Sequence, residues 1–171
     1  MKFFLAFFSL LLLGACTNLR ISEEASSDRW GLKGKMNVRS SQVNFSASID
    51  WSYSEDYFSL LVRNPLGMVI AKLEGNGELL KITLPPKSEE IISSKNLHRY
   101  IGHDLPLNHL PFWVKGLPNP DYDFIGKATS FDQDGWSVSY SQYQDLLPRK
   151  ITFQREDLVI TLVIASWVVD L

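Results

Sequence analysis

Few side chains in this sequence could do covalent or proton-transfer chemistry. There is one cysteine, Cys16, and there are three histidines, His98, His103 and His109. A zinc hydrolase sets two histidines on one helix face as H-E-x-x-H. The spacing here does not match that pattern, and no Cys/His cluster completes a metal set. A G-x-S-x-G elbow, a Walker A loop and a dinucleotide fingerprint are all missing from the sequence. His103 and Asp104 are adjacent, but a general base is defined by its contact in space with a nucleophile. Glu89 and Glu90 fit the first turn of a helix, where the macrodipole favours acids. The sequence therefore nominates no catalytic residue and no metal ligand, and it reads as a non-enzyme.

Cys16 is the exception. A lone cysteine cannot close an intramolecular disulfide. It follows Lys2, an apolar run over residues 3–13 and the small residues Gly14 and Ala15. About 20 apolar residues are needed to cross a membrane, so the run is too short and has the layout of a secretory signal peptide. Leu13-Gly14-Ala15-Cys16 resembles the bacterial lipoprotein lipobox. There the cysteine becomes the mature N-terminus and carries S-diacylglycerol and N-acyl groups. Each buried methylene adds about 0.8 kcal/mol to membrane attachment, so several chains make a stable anchor. Thr17, where an aspartate would resemble an inner-membrane retention signal, points to the outer membrane.

Three segments follow from this: a signal peptide over 1–15, a lipidated N-terminus and flexible tether over 16–29, and one folded domain over 30–171. The tether is Ser/Glu/Asn-rich and, fully extended, reaches roughly 40 Å. The chain's formal charge is −2, and losing Lys2 with residues 1–15 takes it to −3. The charges are dispersed, and no basic stripe marks a nucleic-acid partner.

The elements that must position any site read mainly as β. Val43, Phe45, Ala47, Ile49, Trp51 and Tyr53 alternate with polar residues, a two-residue period with one apolar face. Phe58, Leu60 and Val62 continue the pattern, and Asn76-Gly77 leads to Leu80, Ile82 and Leu84 as a hairpin turn does. After Asp134-Gly135 the alternation returns in Trp136, Val138 and Tyr140. The last run, 158–169, is apolar on both faces. Two stretches interrupt the strands and read as helices. One is 88–101, ending at Gly102. The other is "NHLPFWVKG", with Asn108 as N-cap, Pro111 in the first turn and Gly116 as the stop. Many strands, few helices and a last strand apolar on both faces suggest a curved sheet or an open barrel, with the helices closing one side. The tryptophans and tyrosines either fill its core, as inward aromatics usually do, or line an apolar cavity.

One turn is odd. In "RNPLGMVI", Asn64, Pro65 and Gly67 suit the first, second and fourth positions of a β-turn, which places Leu66 at the tip. A lone surface leucine is ordinary and usually means nothing, so the turn by itself assigns Leu66 no role.

Taken in order, the lipobox cysteine, the tether, "NPLG", "GHDLPLNHLPFWVKGLP", "GWSVSYSQY", "LPRKITF" and "SWVV" resemble the LolB family of outer-membrane lipoprotein receptors, from about Trp30 to the C-terminus. The resemblance implies an incomplete (open) antiparallel β-barrel, mainly β, with the helical insert as a lid covering an apolar cavity. Trp51, Leu60, Trp113, Trp136 and Tyr140 become the acyl-chain cavity candidates, and the family's exposed membrane-targeting leucine falls on Leu66, between Pro65 and Gly67, which makes Leu66 a candidate wedge for the membrane interface with Met68 and Val69 assisting. It also implies partners: a LolA-like periplasmic carrier, acylated lipoprotein cargo and outer-membrane phospholipid. The receptor would act as a monomer, with no cofactor beyond the lipid on Cys16, anchored in the inner leaflet and facing the periplasm. Acyl chains would pass from carrier to receptor to bilayer down a gradient of hydrophobic burial, without nucleotide. The alternative is a structural or assembly outer-membrane lipoprotein that binds another envelope protein without a lipid cavity, which predicts a filled core. A periplasmic hydrolase would instead need a histidine in reach of a serine and a carboxylate in a cleft.

Overall fold

The computed structural model describes residues 29–86, 89–127 and 129–169. The signal peptide, Cys16 and nearly all of the tether lie outside the described residues. Eleven strands make one antiparallel sheet: β1 (Arg29–Arg39), β2 (Asn44–Ser54), β3 (Tyr57–Arg63), β4 (Val69–Gly75), β5 (Leu79–Thr83), β6 (Glu89–Ser93), β7 (Phe124–Lys127), β8 (Ser130–Gln133), β9 (Trp136–Gln144), β10 (Leu147–Arg155) and β11 (Leu158–Val169). The order across the sheet is β6-β5-β4-β3-β2-β1-β11-β10-β9-β8-β7, so the first and last strands of the domain meet at its centre. The two edges, β6 and β7, do not pair with each other, and the barrel is open as expected. The chain linking those edges carries a 3-10 turn (Ser94–Asn96) and two short helices, α1 (His98–Ile101) and α2 (Leu110–Trp113).

Local turn chemistry explains the hairpins. The pairs Asp134-Gly135, Glu55-Asp56 and Asp145-Leu146 each hold positive φ at both residues, the mirror-image turn whose twist matches the flanking strands. Asn76 closes the β4–β5 turn by accepting the Glu78 and Leu79 N–H groups on Oδ1 at 3.0 and 2.9 Å. Hairpins alternate between the two rims of an antiparallel sheet. The β1–β2, β3–β4 and β10–β11 loops therefore share one rim, while Arg29, where the tether enters, lies at the other. Ser41 ties two loops of the first rim together, donating through its hydroxyl and its N–H to Asp157 Oδ2 at 2.6 and 3.0 Å. These two donors hold the Asp157 carboxyl below its usual range.

The sheet bends where β1 slips register against β11 between Lys33 and Gly34. A side chain at position 34 would run into the backbone carbonyl oxygen of Val163, and backbone cannot swing aside. Gly34→Ala is expected to cost about 1–3 kcal/mol, as overpacking does. It should lower the urea midpoint with no change in slope; an unchanged midpoint would show that the bend tolerates a methyl.

The first helical expectation is corrected. Residues 89–93 form β6, paired with β5 from Thr83↔Glu89 to Leu79↔Ser93, and only Ser94–Ile101 turns helically before Gly102 stops it at φ 78°. The adjacent isoleucines Ile91 and Ile92 suit a strand, and the free edge of β5 gives their backbone a partner; tertiary pairing outweighs the helical end-signals. The second expectation is close. The residue preceding α2 is His109, not Asn108, and no side chain caps it, but Pro111 sits in the first turn and Gly116 follows at φ 89°.

Candidate lipid-binding site

The interior divides into two halves. Over β8–β10 it is solid. Trp113, fully buried on α2, packs against Trp136, Phe153 and Phe131 with ring centroids 6.3, 6.0 and 6.3 Å away. A polar clamp holds α2 there. Gln133 accepts Trp113 Nε1–H at 2.7 Å and the Asn119 N–H at 2.9 Å, and donates to the Asn119 and Tyr122 carbonyls at 2.8 and 2.9 Å. Tyr140 donates its hydroxyl to the Trp113 carbonyl at 2.7 Å. Burial holds the Tyr140 phenol far above its ordinary range, with Tyr143 adding to the effect, so it remains a donor. His109 stacks on Trp113 at 4.9 Å and sets Nε2 3.2 Å from Asp134 Oδ2.

Over β1–β4 and β11 the interior is not filled. A cavity of about 80 Å³ opens between Met36, Trp51, Phe58, Leu60 and Leu73 on the strands, with Leu105, Leu107, Leu110 and Pro111 above it and Trp136, Phe153 and Ile160 at the side. The roof is the stretch before and into α2, with its apolar residues turned inward. The cavity is small: an engineered apolar void of about 150 Å³ is what benzene fills. Beside it lies an apolar groove of about 350 Å³ reaching Val43, Phe45, Ile70, Tyr100 and Ile101. Met36, Leu60, Leu73, Leu105 and Ile160 belong to both walls, and of these only Leu105 lies outside the sheet.

Of the five cavity candidates, Trp51, Leu60 and Trp136 line the cavity. Trp113 and Tyr140 do not, and their placement is corrected: the Gln133 clamp and the Tyr140–Trp113 hydrogen bond draw them into the solid half. The sequence reading missed the roof residues Leu105, Leu107 and Leu110, although "DLPLNHL" repeats leucine in a way that could have flagged them. It also missed Ile49 and Phe58, which the two-residue period of β2 and β3 already placed inward.

The turn at 64–67 stands on the rim where the groove opens. Gly67 N–H donates to the Asn64 carbonyl at 2.9 Å, and Asn64 Oδ1 accepts the Leu66 and Met68 N–H groups, both at 3.0 Å. Gly67 takes φ 85°, which a side chain would strain. This rigid turn presents Leu66 at 83% exposure, next to exposed Met68, Val69 and Ile70.

Two histidines meet carboxylates, His98 near Asp104 and His109 near Asp134. Among the described residues, neither has a serine hydroxyl as partner, and no group of three or more metal-ligating side chains forms.

The sequence that builds this open barrel matches a known family profile. The profile of the outer membrane lipoprotein LolB covers residues 28–167. The chain belongs to the LolB family. Outer-membrane lipoprotein LolB of Pseudomonas putida F1 is 32% identical over 155 residues, 84% of this chain and 76% of that relative. The LolB of Stutzerimonas stutzeri is 32% identical over 158 residues, covering 85% and 77%. That of Pseudomonas fluorescens is 34% identical over 152 residues, covering 82% and 74%. Among solved structures, a LolA superfamily protein of Nitrosomonas europaea shares the fold with TM-score 0.52 at 10% identity, covering 86% of this chain and 89% of its own.

Proposed function

We propose that this LolB-family chain accepts acylated lipoproteins from a LolA-like periplasmic carrier and releases them into the inner leaflet of the outer membrane. In this reading Cys16, bearing S-diacylglycerol and N-acyl groups, anchors the domain, which works as a monomer facing the periplasm. The observation that carries the proposal is one of placement. The apolar groove sharing five wall residues with the cavity opens on the same rim as the exposed Leu66 turn.

The mechanism needs no covalent step. The roof lifts at Leu105, the one shared wall residue outside the sheet, and the two spaces join into a slot for an acyl chain. Chain burial drives entry at about 25 cal/mol per Å² of apolar surface. Bilayer surrounds the chain more completely still, so exit is downhill once Leu66 has seated the rim in the interface. Arg29 enters at the opposite rim, and β1 is roughly 36 Å long at 3.3 Å per residue. A tether reaching roughly 40 Å suffices to run back along the strand and let Leu66 touch the bilayer holding the anchor.

Transfer of a labelled lipoprotein from purified carrier to the chain, then to vesicles, tests the reading. Failure of the first step with folded protein would reject it. Cys16→Ala is expected to move the protein from the membrane fraction to the soluble periplasmic fraction while it still takes cargo from the carrier. Continued co-sedimentation with outer membrane would remove the lipobox assignment.

A further inference from the structure

Along the chain the cations are scattered, and strand pairing collects three of them into a row. Lys35 on β1 stands opposite Ser48 on β2 and Val163 on β11. Ser48 pairs on its other side with Arg63 on β3, and Val163 with Lys150 on β10. Alternation on these strands turns Met36, Ile49, Val62, Ile151 and Leu162 inward, so the row lies on the outer face of the sheet. Neighbouring strands lie about 4.8 Å apart, which spaces the cations about 10 Å from one another. Lys35 is exposed; Arg63 and Lys150 are half-buried, as long side chains are when their stems lie along a surface.

The carboxylates on this face have other partners. Asp50 pairs with Lys33 at 3.5 Å, Glu74 with Lys72 at 2.8 Å and Glu89 with Lys81 at 2.7 Å, while Asp132 accepts the Ser137 hydroxyl. Among the described residues, none of Lys35, Arg63 and Lys150 is paired with a carboxylate. A chain of net negative charge thus carries an unpaired positive stripe on one face. Between and beside the cations stand Val163, Ser48 and the exposed Ser46, Ser139 and Ser141, short side chains that let a flat partner come close.

We propose that this outer face rests on anionic glycerophospholipid headgroups of the bilayer that holds the anchor, with Lys35, Arg63 and Lys150 meeting their phosphates. The proposal rests on the membrane anchorage read above and adds a resting orientation to it. Where the tether enters selects the bilayer as occupant. Arg29 begins the strand that carries Lys35, six residues or roughly 20 Å away, and the tether reaches roughly 40 Å. Charge complementarity supplies the attraction, roughly fivefold in binding for each Lys or Arg near an anionic membrane surface. The sheet curves across these strands, and the long arms of the two outer cations reach back to the plane. β1 and β11 are central in the sheet and β6 and β7 are its free edges. Lying on β1 and β11 therefore turns the roof and the open side away from the bilayer, towards an arriving carrier. Delivery follows when the domain tips onto the Leu66 rim.

The test uses the mature acylated chain, reconstituted through its own anchor into phosphatidylethanolamine–phosphatidylcholine vesicles with or without phosphatidylglycerol. Cys16 is a thioether in that chain, so Val163→Cys, between Lys150 and Lys35, alone takes a bimane label. A nitroxide on the lipid headgroup quenches bimane held at the surface. Quenching at position 163 is expected to require phosphatidylglycerol and to vanish in molar salt, where the Debye length is about 3 Å. A label at Asp121→Cys, on the insert, should stay unquenched. Lys35→Gln, Arg63→Gln and Lys150→Gln should each weaken the contact roughly fivefold, and together on the order of a hundredfold. Thermal melting checks the fold of the triple variant, and the salt series on the parent needs no variant in the row. Leu66→Glu should leave quenching at position 163 unchanged, because that turn stands on the rim.

Equal quenching with and without phosphatidylglycerol, or full quenching in the folded triple variant, would overturn the proposal. A label at 163 that is shielded only when the carrier is added would make the face a protein interface and overturn it too. A chain that never enters the vesicles would reject the anchorage itself, a result distinct from the other two.

Discussion

Leu66→Glu is expected to leave the fold intact and to cut delivery into membrane at least tenfold. Leu66 is 83% exposed, so the folded domain loses little packing, and such surface changes usually stay within about 0.5 kcal/mol of stability. Backbone groups and Asn64 hold the turn, and the substitution touches neither. In the interface the outcome differs. Burying a leucine contributes about 1.5–3 kcal/mol, which corresponds to roughly a 10- to 150-fold difference in partitioning. A glutamate forfeits that gain and adds the cost of desolvating a carboxylate. The measurement is two-stage: acceptance of labelled lipoprotein from the carrier, then its appearance in vesicles. Acceptance should match the parent and vesicle delivery should fall at least tenfold, with Leu66→Phe restoring it. Parental delivery by the glutamate variant would remove the turn from the mechanism.

Gln133→Ala is expected to be the most destabilising single change in the insert's attachment. The amide makes four hydrogen bonds in a buried setting, and its loss leaves Trp113 Nε1–H and the Asn119 N–H without partners. Orphaning a buried donor costs about 1–3 kcal/mol, so the substitution should cost on the order of 3–5 kcal/mol. At about 2–4 °C per kcal/mol for a domain of this size, the melting temperature should fall by roughly 10 °C, as read by circular dichroism. Hydrogen exchange should speed up first over residues 109–122, the segment the clamp holds. A melting temperature within about 2 °C of the parent would show that the aromatic stack alone retains α2.

Leu66→Glu tests a feature legible in the chain, and Gln133→Ala tests one that was not. Asn64, Pro65 and Gly67 encode their turn through contacts within a few residues, so the residue types alone place Leu66 at an exposed tip. Asp134-Gly135 and Asn76-Gly77 mark hairpins for the same reason, and the two-residue period of β2 put Trp51 on the inner face. The strand content and the place of the insert followed from such local signals, which left a curved sheet and an open barrel both possible.

Distant partners decided the rest. Residues 89–91 carry the opening of a helix, yet β5 offers an edge and Ile91 and Ile92 take it. Trp51 and Trp113 are the same residue type, and periodicity turns both inward. One faces open space and the other is locked in core because Gln133, twenty residues from Trp113, reaches its indole. Alternation along a strand says which side chains point inward; it carries no information on how much of the inside the other strands fill. That volume is set by packing among residues far apart in sequence, and so the cavity and its roof existed only once the chain had folded.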